Sequence, residues 1–331
     1  MLKILQCLLC CPDCHGDLEW KIETETERGI VSADATCEYC NRNYVIRDKV
    51  ATFLLTETSG NDLWKIVDSH LAKELKKNPK YEKQLMQSDL SSLNAADKFL
   101  RAAIHDERGN YNLAKTTRRL AVEELYAPSF NRQYDTKKKE LQNLLAGEDG
   151  LVVDLASGMA GLAKVFSTLE NPVVFSDISP TILLRNQLRL EHFGLYDKVS
   201  LIAFDVKKMP FAESSVPVFT SNLGLTNIRD SASFAMELSR CLKDRAYFIT
   251  FFYPDNGDQN AQLLEELGMN LGFETRLEQI AEQYFDVQIL HPAQADIEPT
   301  AESEIFNIGI DGLPVEPTTI TWAIVKLEPK S

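Results

Sequence analysis

Residues 151–161 read Leu-Val-Val-Asp-Leu-Ala-Ser-Gly-Met-Ala-Gly, which places the carboxylate of Asp154 and a run of small residues directly on a stretch apolar enough to be a buried strand. A second apolar run, Pro-Val-Val-Phe-Ser-Asp, ends in Asp177, and a third leads to Asp205 in Phe-Asp-Val. A strand, a tight turn of small residues opening a helix, and a second strand tipped with an acid suit a nucleoside-containing cofactor. The small residues let the backbone approach it, and the acid accepts hydrogen bonds from ribose hydroxyls. The spacing is not the dinucleotide G-x-G-x-x-G. Each acid alone has a plainer reading: Asp154 bracing its own turn, Asp177 and Asp205 as solvated loop carboxylates. Their recurrence after three successive apolar runs favours a site.

A second group of chemically capable residues lies near the start. Cys11-Pro-Asp-Cys14 and Cys37-Glu-Tyr-Cys40 are two C-x-x-C pairs separated by 22 residues. Each pair fits a tight turn with both thiolates on one side, and two such turns at hairpin tips make a tetrahedral four-sulfur zinc site. Four thiolates leave no open position for water, so the metal is expected to be structural, supplying folding energy to a ribbon with little core of its own. Cys7 and Cys10 form a third C-x-x-C with no partner pair, and the expectation for them is buried or half-buried thiols. Seven cysteines with this spacing point to metal rather than disulfides and to a cytoplasmic setting. The opening Met1–Cys10 is expected to be the first strand or turn of a domain rather than a leader.

The elements that must position these residues follow from periodicity. From residue 150 on, strands and helices alternate, as in a doubly wound α/β sheet. The expected strands are 151–155, 173–176, 199–203, 216–221, 246–252, 287–291 and 319–327, seven in all, with helices at 162–169, 180–193, 231–242, 261–271 and 277–284. The cofactor would lie at the carboxyl ends of the strands, on Asp154, Ala156, Ser157, Gly158 and Gly161 of the turn, on Asp177 with Ile178, on Asp205 with Val206, and on Asn222 and Leu223 after the fourth strand. Residues 60–147 show helical spacing in Leu63, Ile66, Val67, Leu71 and Leu75, again in Leu93, Leu100 and Ile104, and again in Leu120 and Leu125. Asp135 is the expected cap of a helix running to Leu145, with Gly147 as its stop. The division drawn is a zinc ribbon over 1–58, a helical lid or linker over 59–147 and an α/β domain over 148–331.

Two resemblances sharpen this. "LLCCPDCHGDLEW" with "CEYCNRNYVIRDKVATFLL" resembles the Trm112-like zinc ribbon over about residues 4–56, which implies a structural or partner-binding module. The run Asp154–Gly161 resembles the D-x-G-x-G-x-G signature of class I S-adenosylmethionine (SAM) methyltransferases. "FDVKKMPFAESSVPVFTSN" and "SNLGLTNIRDSASFAMELSRCLKDRAYFITFF" resemble the UbiE-like, type 11 group over roughly 150–255. This second resemblance implies SAM as cofactor, with Asp177 on the ribose, Ile178 beside the adenine and Asp205-Val206 on its amine and ring. It also puts Tyr126, Phe130 and Tyr134 where such enzymes place aromatics near the cofactor, although aromatics at this spacing are more often core. Ala156 and Ala160 stand where the family has glycine, Pro217 where it has aspartate, and Asp244-Arg245 where it has Gly-Gly.

Charge bears on partners. The net charge of −14 is uneven: residues 151–331 carry 13 Lys/Arg against 25 Asp/Glu, whereas residues 62–150 carry 16 against 14. An acidic catalytic half repels a nucleic-acid backbone, so a small-molecule or other soluble acceptor is the leading expectation. The alternative is an RNA base methyltransferase gripping RNA through the ribbon and through Lys115, Arg118, Arg119 and Lys137–Lys139. A third reading is a non-catalytic adaptor whose ribbon binds a protein partner, favoured if the alanines occlude the turn. No catalytic base emerges; His105 is expected to be a surface or capping residue. No apolar run approaches the ~18 residues of a membrane span.

Overall fold

A computed structural model describes residues 1–55 and 77–330 of the chain. The helical spacing of Leu63, Ile66, Val67, Leu71 and Leu75, and the boundary drawn at 58, lie outside the described residues.

The ribbon comes first. After a 3-10 turn at Lys3–Cys7, four strands follow: β1 (Leu18–Thr26), β2 (Gly29–Cys37), β3 (Asn43–Arg47) and β4 (Val50–Thr52). They pair antiparallel in sequence order. β1 is almost wholly exposed, and its charged Lys-Ile-Glu-Thr-Glu run blunts an edge open to further pairing. A helical segment follows: α1 (Pro79–Gln87), α2 (Ala95–Glu107), α3 (Tyr111–Leu125) and α4 (Pro128–Leu145). Proline opens both α1 and α4, where its missing N–H costs nothing. Gly109, at φ +72°, makes the turn between α2 and α3. The expected cap at Asp135 is corrected. α4 starts a full two turns earlier at Pro128, and Asp135 instead sits mid-helix in an i,i+3 ion pair with Lys138 at 3.1 Å.

The rest alternates: β5 (Val152–Leu155), α5 (Ala163–Phe166), β6 (Val173–Asp177), α6 (Pro180–His192), β7 (Val199–Ala203), β8 (Val216–Asn222), α7 (Ser231–Cys241), β9 (Leu242–Phe252), α8 (Gln259–Glu266), α9 (Glu274–Ala281), β10 (Phe285–Ile297) and β11 (Thr318–Pro329). All seven expected strands are present. β5, β6 and β7 are buried along their whole lengths, as central parallel strands covered on both faces must be. The order is β7-β6-β5-β8-β9-β11-β10, with β11 antiparallel to both neighbours. The order reverses between β5 and β8, the place where an open α/β sheet leaves a crevice for ligands.

The sheet does not stop at β7. β4 adds to it in parallel, Val50 opposite Leu201 and Thr52 opposite Ala203, so the ribbon and the α/β domain form one eleven-stranded sheet. The four ribbon strands thus add to the seven expected of the α/β domain, and the junction escapes sequence reading because a three-residue strand carries too little periodicity to be read as a sheet edge. The seam is reinforced by Leu9 bridging Phe211, and by the Cys10 N–H donating to the Pro210 carbonyl at 3.0 Å. One core cluster runs from Leu5, Ala33 and Phe53 of the ribbon to Phe211 and Phe219 of the domain. Among the described residues no helix is long and apolar enough to cross a membrane.

Candidate functional site

Two sites take shape. In the ribbon, the Sγ atoms of Cys11, Cys14, Cys37 and Cys40 all lie within 4.8 Å of one another. A tetrahedral zinc with bonds of about 2.3 Å needs sulfurs about 3.8 Å apart; here Cys11–Cys40 is 3.6 Å and Cys14–Cys37 is 3.5 Å. The two turns repeat one geometry. His15 N–H donates to the Cys11 carbonyl and Asn41 N–H to the Cys37 carbonyl, and each donor sits in the left-handed region, at φ +58° and +59°. Gly16 leaves the cluster room: a Cβ there would crowd it, 3.2 Å from the Cys37 sulfur and 3.0 Å from the Tyr39 Cβ. His15 takes no place in the cluster. Cys10 is buried as expected; Cys7 is exposed, which corrects the expectation for it, because the 3-10 turn aims its thiol at the Ile4 carbonyl on the surface.

The second site is a 580 Å³ pocket at the carboxyl ends of β5, β6, β7 and β8. Ten of the eleven sequence-derived positions line it: Ala156, Ser157, Gly158 and Gly161 from the turn; Asp177 and Ile178 after β6; Asp205 and Val206 after β7; Asn222 and Leu223 after β8. Asp154 does not. It is fully buried one layer below, its Oδ1 accepting from the Thr220 hydroxyl at 2.8 Å and its Oδ2 unpartnered among the described residues. Burial raises its carboxyl to about 7, with Thr220 opposing and Asp177 adding to the rise.

The turn is held from several sides. Ser157 N–H donates to the Ser176 carbonyl at 2.7 Å, and Gly158 N–H to Asp177 Oδ2 at 2.9 Å. Asp177 Oδ1 accepts from the Ser179 N–H at 3.0 Å. From α6, Asn186 Nδ2 donates to the Gly158 carbonyl at 2.7 Å, and Arg189 Nη2 to the Met159 carbonyl at 2.5 Å. Arg189 is itself paired with Asp106 of α2 at 3.2 Å, so the helical segment is tied to the turn. Asp205 Oδ1 accepts from the Lys207 N–H at 3.0 Å.

Ala156 (φ +48°) and Ala160 (φ +54°) are both left-handed, where glycine is favoured and other residues cost about 1–2 kcal/mol. Of the three glycines that remain in the lining, Gly158 is itself left-handed at φ +49°, and Gly161 and Gly224 stand where a side chain would force a neighbour to shift. A Cβ on Gly161 would fall 2.6 Å from Asn222 Nδ2, and one on Gly224 would fall 2.7 Å from the Ala156 Cβ. The alanines thus strain the backbone without filling the cradle. Ser157 Oγ and Asn222 Oδ1, both buried in the lining, have no partner among the described residues. Unsatisfied buried polar atoms cost about 1–3 kcal/mol each, which a polar ligand would recover. With the acids at the ends of β6 and β7, they make the pocket fit a cofactor with an amino-acid end, a ribose and an aromatic base.

Tyr134 joins the lining through its hydroxyl, which accepts from Asn222 Nδ2 at 2.9 Å. Phe204, from the Phe-Asp-Val stretch, lines the pocket too, as do Lys207, Arg229 and Asp230, which sequence reading did not select. Arg229-Asp230 directly follows the Leu-Thr-Asn-Ile stretch, which was the available signal. The cationic residues of the middle segment do not gather here. Arg118 is drawn inside near Asp106, and burial lowers its guanidinium to about 10. Lys137 is buried on Glu140 and the His291 carbonyl, and Arg119 pairs with Glu123. Lys115 lies over the Phe193 ring, and Lys138 over the Tyr134 ring. His105 is buried rather than exposed, since α2 turns it into the helical packing, away from the pocket.

Comparison with known proteins agrees with this geometry. Residues 153–250 match the type 11 family model described as a methyltransferase domain. The ubiquinone/menaquinone biosynthesis C-methyltransferase UbiE of Proteus mirabilis is 33% identical over 95 residues, 28% of this chain and 38% of that protein. UbiE of Idiomarina loihiensis is 28% identical over 114 residues, 33% of this chain and 45% of that protein. The chain spans less than half the length of these curated relatives. Among solved structures, geranyl diphosphate C-methyltransferase from Streptomyces coelicolor aligns at 16% identity and a TM-score of 0.45, over 60% of this chain and 80% of that one. A phosphoethanolamine N-methyltransferase from Haemonchus contortus aligns at 13% and 0.45, over 60% and 53%. The match spans β5 to β9, so the stretch of this chain that is similar to type 11 methyltransferase domains is the one that carries the pocket at the switch point of the sheet.

Proposed function

We propose that the protein is a SAM-dependent methyltransferase acting on a small-molecule acceptor. One observation carries the reading. The turn at Ala156–Gly161, the acids Asp177 and Asp205, and the unsatisfied Ser157 Oγ and Asn222 Oδ1 converge on a single open pocket. Asp177 and Ile178 would hold the ribose and adenine, with Asp205 and Val206 at the far side of the base. Ser157, Asn222 and the turn backbone would hold the amino-acid end. When bound, the sulfonium supplies an already activated methyl carbon. The protein's own part is to align donor and acceptor and to exclude water. It need not supply a nucleophile, and a base is required only if the acceptor must lose a proton. None of Lys115, Arg118, Arg119 and Lys137–Lys139 lines the pocket, which speaks against the RNA reading, and the pocket stays open despite its alanines, which speaks against a purely adaptor role. Isothermal calorimetry with S-adenosylhomocysteine (SAH) tests the reading. One-site binding that is lost on Asp177→Ala supports it, and no binding to the metal-loaded protein rejects it.

We further propose that the four cysteines hold a structural zinc. Its role is intramolecular: it fixes the ribbon whose last strand extends the central sheet. Metal analysis of the purified protein tests this, with one zinc per chain expected.

A further inference from the structure

A second cavity of 430 Å³ adjoins the cofactor pocket, and the two share Leu223 in their linings. We propose that this cavity is where the methyl acceptor sits, and that it admits a ring-bearing molecule carrying no negative charge. The inference rests on the methyl-transfer reading above.

The volume lies in the range of about 300–1,000 Å³ typical of small-molecule sites. The placement follows from α4. Phe130 and Tyr134 stand four residues apart and so share one helix face, yet Phe130 lines this cavity while Tyr134 lines the cofactor pocket. One helix face therefore spans both. Leu223 stands at the junction with φ +62°, a conformation that is an outlier for a bulky side chain, and its N–H is pinned to the Ile249 carbonyl at 2.9 Å. Strain of this kind persists where the surroundings enforce it, and it concentrates at functional sites.

The lining sets the ligand class. Tyr126 stacks on Phe130 with centroids 4.9 Å apart, and Phe251 meets Phe130 edge-on at 5.9 Å. Planar surfaces of this size favour a ring as guest. Every charged residue of the lining is acidic: Glu123, Glu124, Glu298 and Asp311. Glu123 and Glu124 reach back to Arg119 and Lys98, and Asp311 accepts from the Tyr126 hydroxyl at 2.6 Å. Among the described residues no lysine, arginine or histidine lines the space, so a carboxylate or phosphate entering it would meet like charge there. A neutral ring is accepted, and a cationic one gains from the aromatic faces as well.

The test uses the full chain saturated with SAH and three indoles of similar size: tryptamine, 3-methylindole and indole-3-acetate, followed by saturation-transfer NMR. Tryptamine and 3-methylindole are expected to bind, and indole-3-acetate to bind at least about tenfold more weakly, a difference of about 1.4 kcal/mol. Phe130→Ala should abolish binding of all three while SAH affinity stays within about threefold. Thr300→Arg, at the edge of the cavity, places a cation there with little demand on folding and should raise indole-3-acetate above tryptamine. Equal binding of all three by the native protein overturns the proposal, as does an unchanged order in Thr300→Arg. SAH binding with no indole bound overturns this proposal alone, whereas absence of SAH binding overturns the methyl-transfer reading with it.

Discussion

The ribbon turns and the cofactor turn solve one problem in different ways. Each forces non-glycine residues into left-handed backbone: His15 and Asn41 in the ribbon, Ala156 and Ala160 in the α/β domain. Asn and His are among the side chains that tolerate that region best, and alanine gains nothing there. The ribbon turns converge on four sulfurs and, with the proposed zinc bound, would depend on that metal for their cohesion. The cofactor turn is gripped by protein alone, through Asp177, Asn186 and Arg189, with Asp106 behind. A metal-held turn fails all at once when the metal leaves. A turn held by side chains loses rigidity by steps.

That contrast yields predictions in descending size. Cys37→Ser, or chelation, should release the metal and lower the melting temperature by about 10 °C or more, since structural zinc contributes folding energy directly. Unchanged melting would dissolve the contrast. Asp177→Ala removes both the ribose contact proposed for it and the anchors of Gly158 and Ser179. SAH affinity should drop by about a hundredfold or more while the zinc content stays the same. A fall in zinc would mean that the two regions are not independent. Arg189→Met cuts one grip on the turn and should weaken SAH by about tenfold, again with the metal retained.

A titration tests the buried base of the turn. Asp154 is raised from 3.8 to about 7 in the folded protein, so the native state keeps a proton that the unfolded state has lost between these values. Stability contributed at this site therefore falls as pH rises from about 4 to about 7 and is flat above. Asp154→Asn should flatten that slope in denaturant melts taken across the window; an identical slope would place the proton elsewhere. The smallest effect is relief of strain. Ala160→Gly should stabilise the fold by about 1 kcal/mol or less, and a loss of stability would mean that the methyl group is packed rather than merely tolerated.

The α/β half was highly legible in the sequence because fully buried parallel strands are short apolar runs, and each of the first three ends next to an acid or a small residue. Ten of the eleven cofactor positions reach one pocket for that reason, and Asp154 misses it only because its side chain points beneath the turn. Other features depend on contacts between distant residues. The grip of Asn186 and Arg189 on two carbonyls is invisible without the path of α6. The second cavity draws on α3, α4, the loop after β8 and residues near 311, which no local pattern unites. The α4 start is hard to read because Asp135 is an attractive cap, whereas the true start at Pro128 has no capping side chain to announce it.

The pairing of β4 with β7 has a consequence for how the chain is made. Val50 and its partner Leu201 are about 150 residues apart, so at a synthesis rate of about 5–20 residues per second the edge of the ribbon waits roughly eight to thirty seconds for its neighbour. During that interval Val50–Thr52 presents open backbone donors and acceptors to any other nascent chain. Early metal capture would keep the ribbon folded behind that edge, and the domain that emerges later would close it.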